Sequence, residues 1–226
     1  MISPEDPHSC GFLRARIEAW SAEHASDFPP EVLRIFAERT EEVLKSDILS
    51  TCVRKGQMAP DFELPDSTGA TMRLADKAGQ GPVILSFYRG TWCPYCNLEF
   101  QAQLETMPQF RSCGTAVLAV SPQVMNRREN PAVKGFVDLC DQGNHAARRF
   151  GLVYPLGDEI KKIYHRFGIR LEELNGDDSY EVPIPATYIV DQDLIVRYAY
   201  TNPDFYERAE PETLLETLTQ IAGGLK

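Results

Sequence analysis

The sequence lacks long apolar runs and an excess of positive charge. No stretch approaches the ~20 apolar residues that cross a bilayer. The N-terminal segment MISPEDPHSCGFLRARIEAW has no apolar stretch of signal-peptide length. Lys and Arg number 23 against 33 Asp and Glu, giving a formal net charge of −10. Nucleic acids and anionic membranes favour the opposite balance of charge, so neither is expected as a partner. The missing apolar stretches lead us to expect a cytoplasmic protein.

Metal-ligand patterns and nucleotide-binding loops are also missing. No second C-x-x-C motif accompanies Cys93 and Cys96, and the four histidines show no ligand spacing. No glycine-rich phosphate-binding loop for a flavin or nicotinamide is present. The sequence therefore predicts neither a metal nor a cofactor. The remaining cysteines stand singly and are interpreted as inert: Cys10, Cys52, Cys113 and Cys140.

The chain divides by pattern into two parts. Residues 1–54 form a predicted N-terminal helical extension, with Pro29 and Pro30 near the start of a helix. This extension is interpreted as packing on the main domain, with a homodimer contact or an active-site cover as alternatives. Residues 55–226 form a predicted single α/β domain, since 43% hydrophobic residues can supply a packed core.

Buried strands alternate with helices in the larger part. PVILSFYR (82–89) and TAVLAVS (115–121) are predicted strands on either side of a helix over 94–110. This order favours a parallel pair with a right-handed crossover. Further along, residues 186–200 predict a hairpin, and helices are predicted over 158–169 and 210–223.

Cys93 and Cys96 stand at the start of the predicted helix 94–110. Pro94 suits the first helical position, which makes Cys93 the N-cap residue. A helix N-terminus favours the thiolate, the reactive form of a thiol whose free pKa is ~8.5. Cys96 lies one turn further on, within disulfide reach. The pair therefore predicts a dithiol/disulfide redox site, with half of a zinc site or two inert thiols as alternatives.

Five stretches resemble the peroxiredoxin-like (alkyl hydroperoxide reductase/thiol-specific antioxidant) branch of the thioredoxin superfamily. They are KGQMAPDFELPDSTGATMRL, ILSFYRGTWCPYCNLEF, AVLAVSPQ, VPIPATYIVDQDLIVRYAY and PETLLETL, within residues 55–222. The resemblance implies a thioredoxin-like mixed sheet with helices on both faces. It also implies reduction of hydroperoxides, with electrons from an external thiol of the thioredoxin or glutathione type.

The sequence departs from that family at the site itself. The family's proline and threonine positions fall on Arg89 and Cys93, and its arginine position falls on Pro185. The family's peroxide-attacking cysteine aligns with Cys96, followed by Glu99. The Trp-Cys-x-x-Cys setting resembles thioredoxin instead, whose cis-proline corresponds to Pro185. We therefore expect a cis Ile184–Pro185 bond beside the cysteine pair.

These departures assign the attack to Cys93 and resolution to Cys96, which is expected to be the more shielded sulfur. Arg89 either stabilises the thiolate or pairs with a surface acid. In the first case its removal is expected to shift the thiol pKa by at most about one unit, because a strand-end arginine is partly solvated. Trp92 and Tyr95 are expected at the rim of the site.

Three functions are compatible with the sequence. A peroxiredoxin-like peroxidase acting through Cys93 and Cys96 is favoured by the resemblance. A thioredoxin-like disulfide oxidoreductase is favoured by the departures. The third is a non-catalytic redox sensor or interaction module. Cys140 is an alternative, distant resolving cysteine.

Overall fold

A five-stranded mixed sheet forms the centre of the computed structural model, which describes residues 12–124 and 135–224. The described strands are β1 (Glu63–Pro65), β2 (Thr71–Arg73), β3 (Val83–Phe87), β4 (Ala116–Ser121), β5 (Val137–Cys140), β6 (Val153–Pro155), β7 (Glu181–Pro183), β8 (Ala186–Val190) and β9 (Val196–Thr201). The central sheet has the order β5-β4-β3-β8-β9, while β1 pairs with β2 and β6 with β7.

Helices surround the sheet. They are α1 (Phe12–Glu23), α2 (Pro30–Lys45), α3 (Ile48–Thr51), α4 (Leu74–Ala78), α5 (Pro94–Glu105), α6 (Met107–Ser112), α7 (His145–Arg149), α8 (Asp158–Arg166), α9 (Leu171–Leu174) and α10 (Pro211–Ala222). Within the described ranges, no helix combines the length and the apolar character that a membrane span requires.

The predicted strand–helix–strand unit is confirmed. β3 and β4 are parallel, with Val83 opposite Ala116, and β8 and β9 form the predicted antiparallel hairpin. The helix predicted over 94–110 is two helices, α5 and α6. Pro108 explains the interruption, because it has no N–H to continue the helical ladder and its ring would clash with the preceding turn.

Both faces of the central sheet are covered by helices, as predicted. Val83, Leu85 and Phe87 of β3 point into one core, which also contains residues of α2, α7 and α8. Ile84 points to the opposite face, where α6 and α10 pack. Every residue of β3 is buried, which explains its apolar run, interrupted only by the buried Ser86.

The described N-terminal helices pack on the rest of the chain. The backbone N–H groups of Leu13 and Arg14, at the start of α1, donate to the carboxylate of Glu210. Arg16 forms an ion pair with Glu105 at the end of α5. α1 thereby lies along α5, the helix that begins at the cysteine pair.

Candidate active site

Cys93 lies at the start of α5, as predicted. It is the N-cap residue, and Pro94 begins the helix. The loop from β3 turns at Gly90, whose φ of +143° favours glycine. A Cβ at that position would lie 2.4 Å from the Trp92 indole nitrogen. The turn therefore brings Cys93 to the carboxyl end of β3, where ligands bind in open α/β sheets.

The two sulfur atoms are 2.7 Å apart and form a hydrogen bond with Cys96 as donor. A small movement would therefore bring them to disulfide distance. Both cysteines are fully buried, so the expectation that Cys96 is the more shielded is wrong. The predicted contact with the free N–H groups of the helix end is absent, because the Cys93 sulfur accepts no cap hydrogen bond. Neighbouring side chains stabilise its charge instead.

Arg89 is the main cation at Cys93. Its Nη2 donates to the Cys93 sulfur over 3.2 Å, and the residue is only 5% exposed. Its guanidinium also lies over the rings of Trp92 and Phe205, 5.3 and 5.1 Å from their centroids. No carboxylate pairs with it within the described parts of the chain, so the surface-acid interpretation is wrong. The thiolate of Cys93 is thus the anion that compensates this buried cation.

The two thiols have opposite pKa shifts. Burial disfavours the Cys93 thiolate, but the Cys96 thiol and the Arg89 guanidinium hold the pKa of Cys93 well below its usual range. The pKa of Cys96 is raised well above its usual range by burial, by the hydrogen bond that its thiol donates to Cys93, and by the negative charge of Cys93. Of the two coupled thiols, Cys93 thus has the lower pKa and Cys96 the higher.

A second buried arginine, which no local sequence pattern indicates, lies on the Cys96 side. Arg208 Nη2 is 3.8 Å from the Cys96 sulfur, and its Nε is 2.9 Å from a carboxylate oxygen of Glu99. Thr187 and Gln103 donate to the other oxygen of Glu99. Burial raises the pKa of Glu99, while Arg208 and Thr187 oppose that shift.

The expected cis-proline is absent. The Ile184–Pro185 bond is trans, as are the other peptide bonds of the described residues. Trans is the common state of an X–Pro bond, and the Ile184 N–H donates to the Leu152 carbonyl in the connection between β7 and β8. Pro185 is buried and precedes Ala186, which pairs with Phe87 at the end of β3. The thioredoxin-like part of the prediction therefore fails at this position.

Aromatic side chains form a cavity above the site. We call it the aromatic chamber: a space of about 90 Å³ lined by Trp20, Phe36, Trp92, Tyr164, Phe205 and Arg89, among others. Trp92 is half-buried in its wall, and Tyr95 packs edge-to-face on Trp20. Trp20 and Phe36 belong to α1 and α2, so the N-terminal helices cover the site.

The other described cysteines make local contacts. Cys140 ends β5 and donates to the Gln123 carbonyl, and burial raises the pKa of Cys52 to about 11. Cys113 follows α6 and is half-buried. Cys10 lies outside the described residues.

Comparison with known proteins identifies the family. The model of the AhpC/TSA family matches residues 55–199. The chain belongs to this family. That assignment agrees with the resemblance drawn from the sequence, and residues 12–54 with their helices precede the matched region.

Curated relatives of this family member include both thiol-disulfide oxidoreductases and peroxiredoxins. Thiol-disulfide oxidoreductase ResA of Geobacillus thermodenitrificans (strain NG80-2) is 32% identical over 153 residues, covering 67% of this chain and 72% of that protein. Chloroplastic peroxiredoxin Q of Triticum aestivum is 27% identical over 165 residues, covering 72% of this chain and 65% of that protein.

A solved structure has the same fold. Peroxidoxin BcpB from Mycobacterium tuberculosis superposes with a TM-score of 0.55 and 21% identity, covering 75% of this chain and 98% of that one. This similarity confirms the predicted fold class.

Proposed function

We propose that this AhpC/TSA-family protein is a thiol-dependent peroxidase in which Cys93 attacks the hydroperoxide and Cys96 resolves the product. The observation that carries the assignment is the buried Arg89, which contacts the Cys93 sulfur and has no described carboxylate partner. A guanidinium in this position stabilises the thiolate, the nucleophilic form. The peroxiredoxin relatives support hydroperoxide as the substrate class.

The proposed reaction has two internal steps. The Cys93 thiolate attacks one peroxide oxygen, the O–O bond breaks, and the alkoxide or hydroxide takes a proton, leaving Cys93 as a sulfenic acid. The Cys96 sulfur then attacks Cys93. The S–O bond breaks, and the hydroxyl leaves with the Cys96 proton as water. An external thiol of the thioredoxin or glutathione type then reduces the disulfide. Such a reductant is available in a reducing cytoplasm, where we place the protein.

A thioredoxin-like disulfide oxidoreductase is the second candidate. The Trp-Cys-x-x-Cys sequence and the ResA relative favour it. Measuring hydroperoxide consumption beside reduction of insulin disulfides, with the same reductant, separates the two functions. Turnover of neither substrate would instead favour the redox sensor.

The cysteine pair is expected to carry all of the activity. Replacing both Cys93 and Cys96 by serine should abolish hydroperoxide consumption, because no other described thiol lies beside a buried arginine. Single replacement of each remaining cysteine by alanine provides the matched controls, which should retain activity. They are Cys10, Cys52, Cys113 and Cys140. Activity that survives the double replacement would refute the site assignment.

The aromatic chamber is expected to favour hydroperoxides with an apolar organic group. Phe36→Ala removes an apolar wall, so kcat/KM for cumene hydroperoxide should fall by about 3- to 10-fold while that for hydrogen peroxide changes little. Leu44→Ala is the control, since Leu44 lies on the same helix and is 48% exposed. Equal losses for both peroxides would argue against the chamber as a substrate site.

A further inference from the structure

We propose that Arg208 is a catalytic residue of the resolving step, in which it stabilises the Cys96 thiolate during attack on oxidised Cys93. This inference rests on the proposed function for the order of the two cysteines. Arg208 lies 112 residues from Cys96 in the sequence, in the segment between β9 and α10. The family's own arginine position is occupied by Pro185, so the second cation of this site comes from a different part of the chain.

The contacts of Arg208 hold it against Cys96. Its side chain is only 3% exposed, and Nη1 donates to the Glu207 carbonyl. Nε faces Glu99, and Nη2 reaches the Cys96 sulfur. Glu99 lies on the same helix as Cys96, one turn further on, and is itself held by Thr187 and Gln103. The carboxylate therefore acts as a positioning residue that fixes the guanidinium beside the sulfur.

Each of the two cysteine sulfurs therefore has its own neighbouring arginine. Arg89 donates to Cys93 at 3.2 Å, and Arg208 lies within 3.8 Å of Cys96. The negative charge is on Cys93 when a peroxide arrives and must develop on Cys96 when the disulfide forms. A fixed cation beside each sulfur stabilises the charge at each stage without rearrangement of the site.

Oxidation of Cys93 removes one of the causes that keep Cys96 protonated, the negative charge of Cys93, while burial remains. The titratable and charged groups facing Cys96 are Cys93, Arg89, Arg208 and Tyr164, with Glu99 behind Arg208. Burial raises the pKa of Cys96, and so do the Cys93 hydrogen bond and charge, while the two arginines lower it. A neutral, oxidised Cys93 no longer carries that charge. Arg208 and Arg89 then oppose burial alone, so the pKa of Cys96 is lower after Cys93 has reacted than before.

The Cys93–Cys96 disulfide forms and is reduced by two opposite displacement steps. In the forward step the S–S bond forms between Cys96 and Cys93, the S–O bond of the sulfenic acid breaks, and the Cys96 proton leaves with the hydroxyl as water. In reduction, an incoming thiolate attacks the Cys93 sulfur, and Cys96 leaves as a thiolate beside Arg208. Arg208 therefore assists both the closing and the opening of the disulfide.

The test uses a small thiosulfonate, so that it does not depend on peroxide activity. Methyl methanethiosulfonate places an S–CH₃ group on Cys93 with release of methanesulfinate, and Cys96 then displaces methanethiolate to form the disulfide. Quenched-flow mass spectrometry of the full-length protein follows both phases. Arg208→Gln should slow the second phase at pH 7 by about tenfold or more and move its pH midpoint upward, since one pKa unit is tenfold. The first phase should change much less.

Three further variants distinguish chemistry from structure. Arg208→Lys should restore part of the second phase, because it retains a cation. The double variant Arg208→Met with Glu99→Gln removes both charges of the buried pair, so it leaves no unpaired charge. It replaces Arg208→Gln in the test if that variant fails to fold, and it should show the same slow second phase. Arg148→Gln, which breaks the exposed pair with Glu181, is the control and should behave as wild type.

An unchanged second phase in Arg208→Gln, or in the double variant where the single one is unfolded, would overturn the inference. Equal slowing of both phases that the lysine variant does not relieve would also overturn it, because that pattern indicates a structural role. A wild-type protein that shows both thiosulfonate phases but consumes no hydroperoxide would refute the proposed function and leave the role of Arg208 standing.

Discussion

Cys93→Ser is expected to abolish the fast reaction with hydroperoxide, whereas Cys96→Ser should retain a single turnover. The hydrogen bond from Arg89 and the lowered pKa both identify Cys93 as the thiolate of the reduced pair, while the raised pKa keeps Cys96 protonated. Removing a nucleophile costs about three orders of magnitude or more in rate. Single-turnover loss of peroxide by stopped flow measures the fast reaction.

The Cys96→Ser variant supplies the matched control. Its Cys93 should be oxidised once and then stall as a sulfenic acid, which dimedone traps and mass spectrometry detects. The family alignment makes the opposite prediction, because it places the attacking sulfur on Cys96. If Cys93→Ser keeps the fast phase and Cys96→Ser abolishes it, the family register is correct for this chain.

Local patterns predicted the elements that carry the site. The apolar run of β3, interrupted only by Ser86, and Pro94 at the helix start are both short-range signals, and together they place Cys93 just after a buried strand. Each depends on conformational preferences within a few residues. The same local patterns cannot predict which side chains surround the start of α5, since those contacts depend on tertiary packing.

Long-range contacts account for what the sequence did not predict. Arg208 gave no local signal, because its partners Cys96 and Glu99 lie more than 100 residues away. The full burial of Cys93 depends on packing around the start of α5, to which α1 contributes, and it made the expected difference in exposure wrong. The expectation for Pro185 failed for another reason: it was transferred from thioredoxin, and no local signal in this chain requires the rarer cis bond.

Arg89→Gln is expected to raise the pKa of Cys93 and to slow its alkylation at pH 7 by about tenfold. The sequence alone predicted at most about one unit, because a strand-end arginine was expected to be partly solvated. In the structure Arg89 is 5% exposed and donates directly to the sulfur, so solvent screens the interaction much less.

The sign of the pH dependence follows from the thiolate fraction. Because the pKa of Cys93 is lowered in the wild type, its alkylation rate should reach the plateau at a lower pH than that of an ordinary thiol. In Arg89→Gln the rate at pH 7 should fall and then recover as the pH rises through the new, higher pKa. Iodoacetamide labelling of Cys93 across pH, read by peptide mass spectrometry, measures this profile.

Arg89→Lys and Arg208→Gln separate charge from packing in the Arg89 experiment. The lysine variant retains a cation beside Cys93 and should show a smaller rise in pKa. Arg208→Gln removes the cation on the Cys96 side, which lowers the pKa of Cys93 less than Arg89 does, and should shift the profile less. If the profile of Arg89→Gln instead coincides with the wild-type profile, the Cys93 charge is compensated by Cys96 and Arg208 alone, and Arg89 serves only to pack against Trp92 and Phe205.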